Sequence, residues 1–91
     1  MATVSAFQIT GTKAWFWSDD HDPPHFHVKR TNEWEVRVTF LLEEKDMIEV
    51  KWANRKPGKK VLKEITSLAK KHRVALLKQW EEIHHKPESE S

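Results

Sequence analysis

The sequence predicts an α+β fold, in which an antiparallel sheet of four to five strands carries one long C-terminal helix packed on one face. Two observations predict it. Apolar and polar residues alternate over residues 34–40 and again over 48–52, as in strands with one buried face. Over residues 59–84 the period becomes helical, and a helix with one apolar side needs a sheet or another helix to cover it.

Three further strands complete the predicted sheet, at residues 7–10, 13–18 and 26–30. Gly11-Thr12 and Thr31-Asn32 are the expected turns, and a loop rich in Asp, His and Pro separates the second strand from the third. A charged turn is expected at residues 43–46. We expect a single domain over residues 1–86 and a disordered polar tail at 87–91.

The expected helix has one apolar side. At 100° per residue, eight apolar side chains fall within an arc of roughly 100°. They are Val61, Leu62, Ile65, Leu68, Ala69, Leu76, Trp80 and Ile83. His72 falls inside the same arc, so its ring is expected to face the sheet.

Composition narrows the classes of function. The chain has 91 residues and no cysteine, which excludes disulfides and thiolate metal sites. No apolar run approaches the ~20 residues of a membrane span, and no signal peptide is evident, so we expect a cytoplasmic protein without a membrane partner. The formal net charge of +2 is too small to indicate a nucleic-acid partner by itself. Gly-rich phosphate loops and Ser or Cys nucleophile motifs are also missing.

Residues 18–28, Ser-Asp-Asp-His-Asp-Pro-Pro-His-Phe-His-Val, concentrate the chemistry of the chain. Imidazole is a general acid or base near neutral pH and the commonest metal ligand. Pro23-Pro24 makes a stiff, extended connection between His21 and His25. These residue types, held by a rigid segment, favour a functional site over a simple turn.

Three interpretations of these histidines remain open. His25 and His27 are two residues apart and share one face of a strand, so they could bind a divalent metal such as zinc, with His21 or Asp20 completing the shell. Alternatively, His25 and His27 could cleave a phosphodiester by acid–base chemistry without metal. The third interpretation is structural, in which the rings cap backbone groups or stack on neighbouring tryptophans.

His72 is a third candidate catalytic residue, because the helical arc aims it at the sheet. The parity of the third strand decides whether it can join the others. If Phe26 and Val28 face the helix, His25 and His27 face away from it, and His72 cannot meet them.

A second cluster surrounds the predicted start of the helix. Its cations oppose the helix dipole, which favours anions at that end by ~0.3–1 kcal/mol. A phosphate bound among the lysines and the free backbone N–H groups would offset this unfavourable interaction. Trp52 could stack on an unpaired base. The candidate nucleic-acid-binding residues are therefore Arg55, Lys56, Lys59, Lys60, Lys63 and Trp52. The alternative is a solubilising basic turn.

Residues 15–28 resemble the domain-of-unknown-function family DUF4160, whose members carry an aromatic strand followed by Asp-His-x-Pro-Pro-His-x-His-Val. Residues 71–80 are similar to that family's closing helix, which has His-Arg, then Leu-Leu, then Trp. The resemblance covers roughly residues 6–83, and the lysine-rich segment 51–63 departs from the pattern. It implies a short prokaryotic protein from a two-gene toxin–antitoxin-type module, with an antitoxin-like partner.

Three functions follow as hypotheses. The favoured one is a toxin-like protein that acts on RNA, as a small ribonuclease, through the histidine loop and the basic helix start. The second is a divalent-metal-binding protein that uses His21, His25 and His27. The third is a partner-binding module without catalysis, in which tryptophans bury against another protein. A homodimer is compatible with all three.

Overall fold

The computed structural model describes residues 2–4, 9, 11–17 and 23–84. Its strands lie in the sheet in chain order, and every neighbouring pair is antiparallel. The strands are β1 (Ala2–Thr3), β2 (Lys13–Phe16), β3 (Phe26–Arg30), β4 (Trp34–Val38) and β5 (Ile48–Ala53). The helices are α1 (Glu44–Met47), α2 (Lys59–Lys71) and α3 (Arg73–His84). The α+β class and the antiparallel sheet are therefore confirmed, with four strands of four to six residues and a two-residue β1.

Some predicted elements differ or cannot be compared. The strand expected at residues 7–10 lies outside the described residues except for Ile9, which is in no strand. The charged turn expected at residues 43–46 is instead the one-turn helix α1, whose last residue, Met47, is buried. The tail expected at residues 87–91 also lies outside the described part of the chain.

The prediction of one long C-terminal helix is wrong. His72 leaves helical geometry (φ −110°, ψ 22°) and separates α2 from α3. The His72 N–H still donates to the Leu68 carbonyl at 3.0 Å, and the Leu76 N–H donates to the His72 carbonyl at 2.8 Å. The interruption is therefore confined to one residue, and neither proline nor glycine marks it in the sequence.

A tertiary contact accompanies this break. Arg73, the first residue of α3, donates from Nε to the Phe40 carbonyl at 2.8 Å and from its terminal nitrogen to the Leu42 carbonyl at 2.7 Å. Hydrogen bonds to a charged donor are among the stronger ones in proteins. They attach the start of α3 to the loop after β4, a connection that helical periodicity cannot indicate.

The hairpin of β3 and β4 assigns side chains to the two faces of the sheet. Asn32 has the left-handed φ of 67° that asparagine tolerates better than most residues, and the Glu33 N–H closes the turn on the Arg30 carbonyl. The resulting register pairs Phe26 with Val38 and Val28 with Val36. One face of the hairpin is therefore apolar.

This apolar face meets both long helices in the core. Ile65 and Ala69 of α2 and Leu76 and Trp80 of α3 belong to the same buried cluster as the apolar strand residues. All eight side chains of the predicted arc are buried or half-buried. None of the helices in the described part of the chain is long and apolar enough to cross a membrane.

The opposite side, which we call the second face, contributes nothing to that core cluster. The strand registers bring together on it Lys13, Trp15, His27, Lys29, Glu35, Arg37, Glu49 and Trp52.

Trp80 is the residue on which the packing of α3 is best tested. It is 5% exposed, and its ring lies 6.1 Å from that of Phe16. Trp80→Ala should lower the free energy of unfolding by about 3–5 kcal/mol in urea denaturation, because it leaves a large cavity. Val74→Ala is the control, since Val74 is 84% exposed on the same helix and should change stability by less than about 0.5 kcal/mol. A loss for Trp80→Ala as small as the control's would contradict the described packing.

Candidate active site

His27 lies on the second face near the start of β3, the middle strand of the sheet. Its neighbours across the ladder are Trp15 on β2 and Arg37 on β4. The Trp15 ring stacks on the imidazole with a centroid distance of 5.5 Å and an interplanar angle of 22°. The Glu35 Oε2 atom lies 3.7 Å from His27 Nδ1. The Trp15 ring therefore fixes the plane of the imidazole, while the carboxylate lies near Nδ1 at a distance too long for a hydrogen bond.

Glu35 is itself held in place. The indole N–H of Trp52 donates to Glu35 Oε1 at 3.3 Å, while Oε2 lies beside His27. The side chain of Glu35 is 22% exposed and that of His27 is 11% exposed. The carboxylate thus lies between an exposed tryptophan, to which it is hydrogen-bonded, and a nearly buried histidine.

His25 enters the site from just before β3. Its Nδ1 lies 2.8 Å from the Pro23 carbonyl oxygen. A carbonyl can only accept, so Nδ1 is the donor and the neutral ring carries its lone pair on Nε2. The stiff Pro23-Pro24 unit therefore selects the tautomer of this histidine.

The ring of His25 contacts one ring on each face of the sheet, at the end where β3 begins. Its centroid lies 5.2 Å from that of His27 and 5.5 Å from that of Trp80 on α3. This answers the question of parity. Phe26 and Val28 face the helices and His27 faces away, while His25 precedes the strand and reaches α3 as well as His27.

Several donors among the described residues lie on the same face as His27. The Arg37 guanidinium contacts the Glu49 carboxylate at 3.0 Å, and the Lys29 ammonium lies 5.8 Å from the centre of the Trp15 ring. The buried Trp15 Nε1 and Arg37 Nε atoms have no hydrogen-bond acceptor among the described residues. Because unsatisfied buried donors are costly, these N–H groups of the described residues are suited to an oxyanion.

Three residues of the predicted basic cluster, Arg55, Lys56 and Lys60, line a groove of about 530 Å³ at the start of α2. It is lined by Ile9, Arg30, Glu33, Trp34, Arg55, Lys56, Gly58, Lys60, Val61 and Glu64. The residue at the N-cap of helix α2 is Gly58, which offers no side-chain cap, and the first turn of the helix carries no acidic residue. Lys59, Lys63 and Trp52 are exposed but do not line this groove.

Arg30 also lines the groove, although it was not among the nucleic-acid-binding residues predicted from the sequence. Its guanidinium lies 6.0 Å from the centre of the Trp34 ring. It also lies beside Gly11, whose φ of +82° favours glycine. His27 and Arg30 are three residues apart on β3, or about 10 Å along the strand. They therefore belong to two separate regions.

Other predicted site residues are not brought together. His21 and Asp20 lie outside the described residues. Within the described part of the chain, no group of three or more His, Cys, Asp or Glu side chains could hold a metal ion. His72 is half-buried at the junction of α2 and α3, and no described ring contact or hydrogen bond joins its side chain to His25 or His27.

Sequence reasoning missed Glu35, Arg37 and Lys29. The sequence contained a signal for them, because they alternate with the apolar residues from which the strands were predicted. A three-residue connection from Arg30 to Trp34 pairs His27 with Arg37 and Lys29 with Glu35. Counting outward from the turn would have placed all four side chains on one face.

The fold and this cluster define a small α+β protein with a histidine pair at one end of its sheet. The DUF4160 family, a domain of unknown function, matches over residues 11–81, which is 71 of the 91 residues, and the chain belongs to that family. No curated protein and no solved structure matches the chain.

The tautomer of His25 gives a direct test of the site geometry. Long-range ¹H–¹⁵N correlation spectra at a pH where the ring is neutral should show that Nδ1 is protonated and Nε2 is not. The Pro23 carbonyl can only accept, so the opposite tautomer would place two lone pairs against each other. An Nε2-protonated ring would show that the described hydrogen bond is not made.

Proposed function

We propose that this protein is a toxin-like ribonuclease of a prokaryotic toxin–antitoxin-type module. The observation that carries the proposal is the pairing of His25 and His27, with ring centroids 5.2 Å apart. The Pro23 carbonyl orients the first ring, and Glu35 lies beside the second. Two positioned imidazoles are what metal-free cleavage of RNA requires.

The two rings take complementary parts in the reaction. His25 Nε2, which carries a lone pair, accepts the proton of a ribose 2′-hydroxyl. The 2′-oxygen forms a bond to phosphorus, and the bond from phosphorus to the 5′-oxygen breaks. Protonated His27, beside the Glu35 carboxylate, gives its proton to the departing 5′-oxygen. The products are a 2′,3′-cyclic phosphate and a 5′-hydroxyl, and both rings exchange their roles when water opens the cycle.

The charge that develops on phosphorus oxygens needs stabilisation. Arg37, the cross-strand neighbour of His27, presents a planar set of N–H donors suited to phosphate. Lys29, two residues beyond His27, adds a second cation on the same face. Preorganised donors of this kind commonly supply the largest part of the catalytic effect.

The basic groove holds the phosphate backbone of the RNA away from the reacting bond. Arg30, Arg55, Lys56 and Lys60 supply four cations against two acidic residues of its lining. Outside the groove, Trp52, which is 40% exposed and bonded to Glu35 on the second face, offers a stacking face for a base. An acidic antitoxin-like partner that covers these cations would inhibit the protein.

Cleavage is tested with single-stranded RNA of mixed sequence. His25→Ala and His27→Ala should each retain binding and lose cleavage by roughly two orders of magnitude or more, the usual contribution of a general acid or base. His72→Ala is the matched control and should cleave as the wild type does. Unchanged cleavage in both site variants would refute the mechanism. Loss of cleavage in the control alone would indicate that His72 is the catalytic residue.

Binding is tested by its dependence on salt. Each phosphate contact contributes about −0.7 to the slope of log affinity against log salt for single strands. Reversing Lys56 and Lys60 to glutamate should weaken binding and flatten this slope. The control reverses Lys71 and Lys78, which are exposed and outside the groove, and changes the net charge equally. If wild-type protein does not bind RNA at low salt, partner binding through the exposed Trp17 and Trp52 becomes the better account.

A second candidate function, binding of a divalent metal, is favoured by the hydrogen bond of His25. Metal-binding histidines usually donate their second ring N–H to a carbonyl or carboxylate, as His25 does to Pro23. His27 would be the second ligand, and His21 and Asp20 are the sequence-based candidates for the others. Calorimetry with Zn²⁺ should show uptake that weakens from pH 7 to 5, since protons compete for imidazole. The same uptake in a double variant, His25→Ala with His27→Ala, would exclude this site.

A further inference from the structure

Strand β5 forms one edge of the sheet and is exposed along most of its length. It comes last in the strand order and pairs with β4 alone among the described strands. Every residue from Glu49 to its end is exposed. Val50 and Trp52 are 46% and 40% exposed, which is high for large apolar side chains in a sheet. An edge of this kind is a template for another strand.

The hydrogen-bond pattern shows which backbone groups of β5 point outward. The Thr39 N–H donates to the Met47 carbonyl at 2.8 Å, so these two residues form a hydrogen-bonded pair of the antiparallel ladder. Hydrogen-bonded and non-hydrogen-bonded pairs alternate along such a ladder. Glu49, opposite Arg37, therefore directs its backbone groups toward β4, and Val50 directs its groups away from the sheet.

We propose that two copies of this protein pair through β5, antiparallel and about a two-fold axis at Val50. In that register Val50 faces Val50 of the second copy, and the two exchange both backbone hydrogen bonds. Glu49 faces Lys51 of the second copy, and the same pair recurs on the other side of the axis. The interface thus opposes an apolar pair and two pairs of opposite charge.

The charges on β5 favour a second copy of this protein as the partner, and they favour the register centred on Val50. Registers centred on Glu49 or Lys51 would oppose like charges, which destabilises a strand pair. Within the chain, Glu49 contacts Arg37 at 3.0 Å and Lys51 only at 3.9 Å, so Lys51 can turn to the second copy. Charged residues on an edge normally prevent pairing, but the sequence Glu-Val-Lys complements its own antiparallel copy.

The interface is short. The ladder with β4 shifts register between Glu35 and Val36, opposite Lys51, and such irregularities bend the edge. We therefore expect a dimer that dissociates on dilution. Pairing would place the second faces of the two copies side by side in one continuous sheet. The proposal does not depend on ribonuclease activity.

Substitutions at the axis give the sharpest test. A residue at position 50 faces its own copy, so Val50→Lys and Val50→Glu should both be monomeric in sedimentation experiments at concentrations where the wild type dimerises. A mixture of the two variants should form a heterodimer, detected by native mass spectrometry. Val74→Lys and Val74→Glu, at an exposed position of α3, are the matched controls and should leave the dimer intact.

A charge exchange tests the register without altering Val50. Glu49→Lys and Lys51→Glu should each weaken the dimer by roughly tenfold or more, and the double variant should restore it, because the opposed charges are exchanged. Circular dichroism checks that each variant folds. A wild-type protein that stays monomeric at the highest concentration reached, or a double variant that dimerises no better than the singles, would overturn the proposal.

Discussion

The register of the β3–β4 hairpin decides which side chains enter the core and which lie on the second face. It is set by three connecting residues, among them Asn32 with its left-handed φ. A shift by one residue would send Val36 and Val38 to the second face and Arg37 into the core, which the buried helices could not accommodate. The same register that forms the apolar face therefore also assembles His27 and Arg37 opposite it.

Rings connect this second face to the core around the end of β3. Successive contacts between ring centroids, none longer than 6.1 Å, follow the series Trp17, Trp15, His27, His25, Trp80 and His84. The candidate active site thus shares Trp80 with the packing of α3. Groups held by such packing lose little freedom when a ligand binds, which favours the fixed geometry that acid–base chemistry requires. It also means that a change at Trp80 alters both stability and the position of His25.

The cations of the protein are divided between two regions. Arg30 and the residues at the start of α2 line the groove, whereas Arg37 and Lys29 accompany His27 on the second face. The two regions are joined through β3 but lie on different sides of the sheet. In the proposed ribonuclease, an RNA strand that contacts both regions must pass around the sheet. This arrangement also explains why the low net charge of +2 says little about partners.

The fold class and the apolar sides of the strands and helices could be predicted from the sequence, which also singled out residues 18–28 as a candidate site. Those features follow from periodicity and residue type, which are local. The interruption of the helix at His72, where Arg73 bonds to the loop after β4, is visible only in the folded structure. The same is true of the approach of Glu35 to His27 and of the contact between His25 and Trp80. These contacts join residues from 8 to 55 positions apart in the sequence. Their geometry depends on how strands and helices pack, which no local pattern encodes.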